Sequence, residues 1–148
     1  MLKSCCFAAA MIAAASGPAF AANDCGSAPL APAIPGTSDL SGKTVEAGRA
    51  EVVDTYHQVK IYQAALKPFR ACLLAAASGD KASIADAQAK PDKDSKSKIA
   101  ALQQEMDDMQ KAYDKTVDTE TQVATDFNNL HTAQCVKDTD PKICPKKP

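Results

Sequence analysis

Six cysteines, two histidines and two closely spaced methionines are the side chains of this chain best suited to chemistry. Cys5 and Cys6 lie in an N-terminal apolar run, which leaves Cys25, Cys72, Cys135 and Cys144 for the folded protein. None of these is spaced as Cys-x-x-Cys, the arrangement that supports disulfide exchange. His57 and His131 have no second histidine at ligand spacing, and Cys135, one turn beyond His131, is expected to be oxidised. Met106 and Met109 flank Asp107 and Asp108, a grouping that would suit a soft metal. Their spacing also puts both methionines on one helix face, where a flexible thioether fills core space. A hydrolase needs a nucleophile, a base and an oxyanion site in a cleft. The sequence has neither a Gly-x-Ser-x-Gly elbow nor a glycine-rich phosphate loop. No catalytic, cofactor-binding or metal residue is expected, and no enzyme. The chemistry of the four cysteines is then disulfide formation.

The first residues read as a leader. Lys3 gives a positive start, Cys6 to Ala15 is apolar, and Ala19-Phe20-Ala21 has the small-x-small form of a signal-peptidase site. The expected cleavage is after Ala21, which places the mature protein in the periplasm or outside the cell. The apolar run is too short for a permanent membrane anchor. Lipidation at Cys25 is the rival reading, but Asn23 and Asp24 precede it where small or apolar residues are needed. The chain has 17 basic and 18 acidic residues; losing Lys3 leaves 16 against 18, a charge of −2. No nucleic-acid partner is implied. An even number of mature cysteines behind a leader argues for disulfides formed outside the cytosol.

Residues 22–40 form an extended segment, because Pro29, Pro32, Pro35 and Gly36 preclude a helix. Beyond it the pattern becomes heptad. Val45, Val52, Val59, Leu66 and Leu73 form one row, with Gly48, Thr55, Tyr62, Phe69 and Ala76 three residues on. This predicts a helix packed lengthwise over about 42–78, capped by Ser38, Asp39 or Ser41 and stopped at Gly79. Pro68 is expected to bend it near Leu66 without breaking it. A polar connection spans 79–93, with a helical turn or two around Ser83 to Ala89 and Pro91 near the next helix start. The second helix, about 94–134, carries the rows Ile99, Met106, Tyr113, Glu120, Phe127 and Leu102, Met109, Thr116, Val123, Leu130. Residues 135–148 form a tail with three prolines.

The predicted fold is all-α: an antiparallel two-helix, coiled-coil-like hairpin with a disulfide-stapled proline-rich N-terminal segment. Counting outward from the connection sets Leu73 against Ile99, Leu66 against Met106, Val59 against Tyr113, Val52 against Glu120 and Val45 against Phe127. Glu120 then faces the seam with Arg49 about a turn away, and leucine in its place is expected to stabilise. This hairpin also restricts the cysteines. Cys72 lies about 50 Å along the axis from Cys135, far beyond disulfide reach. Nine residues cannot carry Cys144 back over most of that distance. Cys25 with Cys72 and Cys135 with Cys144 remain. The proline segment supplies about 56 Å of reach for the roughly 44 Å back to Cys72.

Cys25, the prolines ending in Pro35-Gly36, and Val59, Tyr62, Leu66, Phe69 and Cys72-Leu73 together resemble a group of small exported proteobacterial helical proteins. The resemblance covers about residues 25–74; the longer connection and the Cys135/Cys144 pair depart from the group's pattern. It implies the hairpin fold and the first disulfide, and transfers no functional residue. The expected role is non-catalytic: protein–protein interaction or structural support in the envelope. Chaperone-like client binding is the alternative, and metal handling a more remote one. Val53, Ile61 and Leu74 spill off the seam, and the apolar flank they form predicts a weak homodimer or another envelope protein as partner.

Overall fold

The computed structural model describes residues 25–144; the expected leader with its cleavage after Ala21 lies outside the described residues. Two helices dominate, α1 (Val45–Ala89) and α2 (Ser95–Cys135), preceded by a short 3-10 turn at Thr37–Leu40. The described residues contain no strand, and α1 and α2 pack against each other along their length.

The heptad reading of α1 holds residue by residue. Its buried positions are Gly48, Val52, Thr55, Val59, Tyr62, Leu66, Phe69 and Leu73, all from the two predicted rows, whose outermost members Val45 and Ala76 are half-buried. The helix continues through Pro68. Proline removes one backbone bond, to the carbonyl of residue 64, and Ala64 and Pro68 are both exposed, so water can satisfy what is lost.

The ends of α1 differ from the expected 42–78. At its start, Ser38, Asp39 and Ser41 are occupied by the 3-10 turn: the Gly36 amide donates to the Asp39 carboxylate at 2.8 Å and the Ser41 hydroxyl to the Ser38 carbonyl at 2.7 Å. Thr44 is the cap, its hydroxyl oxygen accepting from the Ala47 amide at 3.2 Å. At the other end Gly79 does not stop the helix. It lacks the positive φ of a left-handed stop, and one glycine inside a helix costs only about 1 kcal/mol. Alanines at 82, 85, 87 and 89 favour continuation. Pro91 ends the helix instead, by driving the preceding Lys90 out of helical geometry to φ −129°, ψ 70°. The supposed helical turns at Ser83 to Ala89 are therefore the end of α1, and the connection is only Lys90–Asp94.

A later turn moves every partner. Each α1 residue meets α2 about three turns further along than the expected register places it. Leu73 packs with Met109 rather than Ile99, Val59 with Val123 rather than Tyr113, and Val52 with Leu130 rather than Glu120. The deep row of α2 is thus Met109, Thr116, Val123 and Leu130, while Met106, Tyr113, Glu120 and Phe127 sit half-buried beside it.

The proline segment is the third element. Cys25 bonds Cys72 with Cα atoms 5.6 Å apart, Ile34 packs on two core clusters, and Leu40 joins Val52 and Leu130. The segment therefore runs antiparallel to α1, as the reach argument requires. Closing a 47-residue separation is expected to stabilise by about 3–4 kcal/mol. That is substantial for a fold with one buried stripe per helix.

The register also corrects the reading of Glu120. It does not meet Arg49. Arg70 donates to it at 2.7 Å and Gln63 at 3.1 Å, while Arg70 also donates to the Thr116 hydroxyl at 2.8 Å. The Arg70 guanidinium lies over the Tyr113 ring, 5.6 Å from its centroid. Glu120→Leu would leave a half-buried arginine without its carboxylate. It is expected to destabilise by about 1–3 kcal/mol, whereas Glu120→Leu with Arg70→Met is expected to be nearly neutral. Urea denaturation of both variants checks this; a stabilised single variant would contradict the network.

Candidate functional site

Three of the chemistry-bearing residues, His131, Cys135 and Cys144, collect at the end of the hairpin remote from the turn. There the start of α1, the end of α2 and residues 136–144 meet, and three attachments hold them together.

The first is a close approach. Gln134 is fully buried, and its amide nitrogen donates to the Val45 carbonyl at 2.9 Å. Its side chain lies so near Gly48 that a Cβ there would stand 2.2 Å from Oε1. Only glycine leaves this space. The second is an ion pair. Arg49 donates from Nε and from a terminal nitrogen to the two oxygens of Asp138, each at 2.9 Å, and also pairs with Asp140 at 3.1 Å. Asp138 additionally accepts from the Asp140 amide at 3.0 Å and from Gln134 at 3.3 Å. The Arg49 hydrogen bonds, followed by that backbone amide, hold the Asp138 carboxyl well below the usual carboxylate range. The third is Lys137, which donates to the carbonyls of Leu40 and Lys43.

Beyond Asp138 the chain turns back. The Cys144 amide donates to the Asp140 carbonyl at 2.7 Å, the Lys142 amide to the Asp140 carboxylate at 3.0 Å, and Cys135 bonds Cys144. This brings Lys142 and Ile143 over the helices. Together with Val52, Val53, Tyr56, Phe127 and His131 they enclose a groove of about 350 Å³. Its floor is aromatic: Phe127 stacks on His131 with centroids 6.2 Å apart, and Tyr56 approaches Phe127 at 5.9 Å. His131 is fixed by its Nε2, 2.7 Å from the Ile143 carbonyl, which makes that nitrogen the donor.

The residues considered from sequence separate clearly. His131 and Cys135 belong to this end, as does Cys144, while His57 is exposed on α1 and contributes only an edge contact to Tyr56. Met109 is buried among Phe69 and Leu73 with Met106 packed against them, so both methionines serve the core. Cys25 and Cys72 staple the proline segment some distance along α1. The groove itself was missed. Its signal is the coincidence of off-seam Val53 and Tyr56 with Phe127 and His131 on the facing helix, which becomes readable only once the register is known. No family model, curated relative or solved structure matches the chain.

Two outcomes follow from this closure. Gly48→Ala is expected to destabilise by about 1–3 kcal/mol, with part of the loss recovered in Gly48→Ala/Gln134→Ala; a double-mutant cycle on thermal or urea stability reads that coupling. Asp138 has the opposite character, being a matter of pH. Its carboxyl pKa is depressed on folding, so its contribution is full above the ordinary carboxylate pKa. It is lost as pH falls from about 5 downward. Thermal midpoints measured from pH 7 to pH 2 should fall less steeply in Asp138→Asn than in the wild type, the variant starting lower at pH 7.

Proposed function

We propose that this is a non-catalytic exported protein, periplasmic or secreted, that acts by binding another protein through the groove at the closed end of its hairpin. The observation that carries the reading is the groove's composition. Five of its seven lining residues (Val52, Val53, Tyr56, Phe127 and Ile143) are apolar or aromatic, and Val53 and Tyr56 remain exposed there. Apolar and aromatic surface left open in this way is characteristic of an anchor pocket for a partner's side chains. Lys142 at the edge adds one cation, which favours an acidic residue next to the anchor.

The non-catalytic part of the reading rests on how the polar groups are used. Arg49 is paired with both Asp138 and Asp140, and His131 is committed to a backbone carbonyl. None is left poised over the groove as an acid, base or nucleophile. Export is supported by the two disulfides, which persist in oxidising compartments. A second reading, adaptable client binding, draws on a smaller groove of about 190 Å³ whose lining includes Leu73, Leu74, Met106, Met109 and Tyr113 beside the polar Lys81. Suppression of client aggregation by the mature chain would distinguish it.

Site-specific photo-crosslinking in cells tests the leading reading. A crosslinker at Tyr56 is expected to give discrete products, and one at exposed Lys115 none. A Tyr56 product of twice the chain's mass identifies a second copy, the expected weak homodimer, which sedimentation equilibrium then quantifies; other masses identify a separate partner. Equal, diffuse labelling at both positions would count against the groove.

A further inference from the structure

We infer that His131, Cys135 and Cys144 form a binding site for a d10 cation of the zinc type that is shut by the Cys135–Cys144 disulfide and opened by its reduction. The ligand atoms of these three residues lie within 4.8 Å of one another, and all three side chains are only half-buried. Two come from one face of α2 at i and i+4; the third is delivered by the turn after Asp140.

The distances suit a tetrahedral ion. Zinc–sulfur bonds of about 2.3 Å and a zinc–nitrogen bond of about 2.0–2.1 Å imply a sulfur–nitrogen separation near 3.5 Å and a sulfur–sulfur separation near 3.8 Å. His131 Nε2 already stands 3.6 Å from the Cys135 sulfur. The two sulfurs must part from their covalent bond to become separate ligands, and the Cys144 sulfur stands within 4.8 Å of the other two ligand atoms.

Reduction need not scatter the ligands. The turn that carries Cys144 is held by the Cys144 and Ile143 amides on the Asp140 carbonyl, at 2.7 and 3.1 Å, and by Arg49 on Asp138 and Asp140. None of these contacts involves sulfur.

A dithiol reductant gives two electrons and two protons to the disulfide, yielding two thiols and its own cyclic disulfide. The cation then replaces both thiol protons, which leave to solvent, and two thiolates neutralise its charge. His131 must free Nε2 by giving up its bond to the Ile143 carbonyl, with the proton moving to Nδ1 by way of solvent. Water takes the fourth position, since the cluster holds three protein donors among the described residues. A disulfide oxidant takes two electrons from the thiolates and two protons from solvent, leaving as two thiols, while the Cys135–Cys144 bond re-forms and the ion is released. The same residue that closes the groove's floor thus becomes a ligand in the reduced form.

Cobalt(II) titration of the full mature chain, anaerobically and with or without a phosphine reductant, tests the assignment. The reduced protein is expected to bind one equivalent with thiolate-to-cobalt charge transfer and tetrahedral d–d bands, both abolished by zinc. The oxidised protein should give neither. Cys135→Ser/Cys144→Ser should lose the signal while keeping its helical circular dichroism and Cys25 and Cys72. His131→Ala should weaken binding about tenfold or more, since loss of even an outer partner costs that much. Absence of stoichiometric binding to the reduced chain would overturn the proposal. So would a signal that survives in the double serine variant, which would assign it to Cys25 and Cys72, or an unchanged affinity in His131→Ala.

Discussion

Everything specific about this hairpin depends on where the chain turns. Two long heptad helices can slide past each other by whole turns and still bury apolar rows, so the seam alone does not choose a register. The choice is made by Pro91, which forces Lys90 out of the helix and leaves only Lys90–Asp94 to reverse direction. Asp92 completes the turn by accepting from the Asp94 amide at 2.9 Å and the Ser95 hydroxyl at 2.8 Å. With that pivot fixed, Gly48 meets Gln134, Arg49 meets Asp138 and Arg70 meets Glu120. A hairpin turned at Gly79 would bring none of these pairs together.

The polar residues of the seam then act as register markers. Arg70 and Glu120 stabilise the observed alignment modestly as a half-buried pair, and they penalise a slipped one more heavily, because each would be left without its partner. The apolar rows stabilise every alignment to a similar degree. At the far end Gly48 has the complementary role, since the space above a glycine admits Gln134 only at one level.

Much of this was legible in the sequence. Heptad periodicity identified the buried face of α1 at each position from Gly48 to Leu73, because a two-helix fold offers each helix a single apolar neighbour. It also identified both rows of α2, though not which lies deeper. Chain-length arguments were enough to join Cys25 to Cys72. What escaped was the turn. Gly79 and Pro91 are both credible stops, and the difference between them is about the small cost of one helical glycine. An error there passes into each cross-helix pair. Glu120 was thus matched with the wrong arginine, and the groove around Tyr56 and Phe127 went unseen. Cys144's nearness to His131 depends on the fold of a short proline-bearing tail, which has no periodicity to read.

The stapled proline segment has a consequence for how the molecule is handled. Cys25 is pinned at the level of Cys72, whereas Cys144 is pinned beside His131, at the level of Val52. These levels are about 30 Å apart along the axis of α1. The two disulfides of the described residues are therefore not equivalent as sites of chemical labelling: a group attached at Cys25 or Cys72 sits well clear of the groove, and one attached at Cys135 or Cys144 stands at its rim.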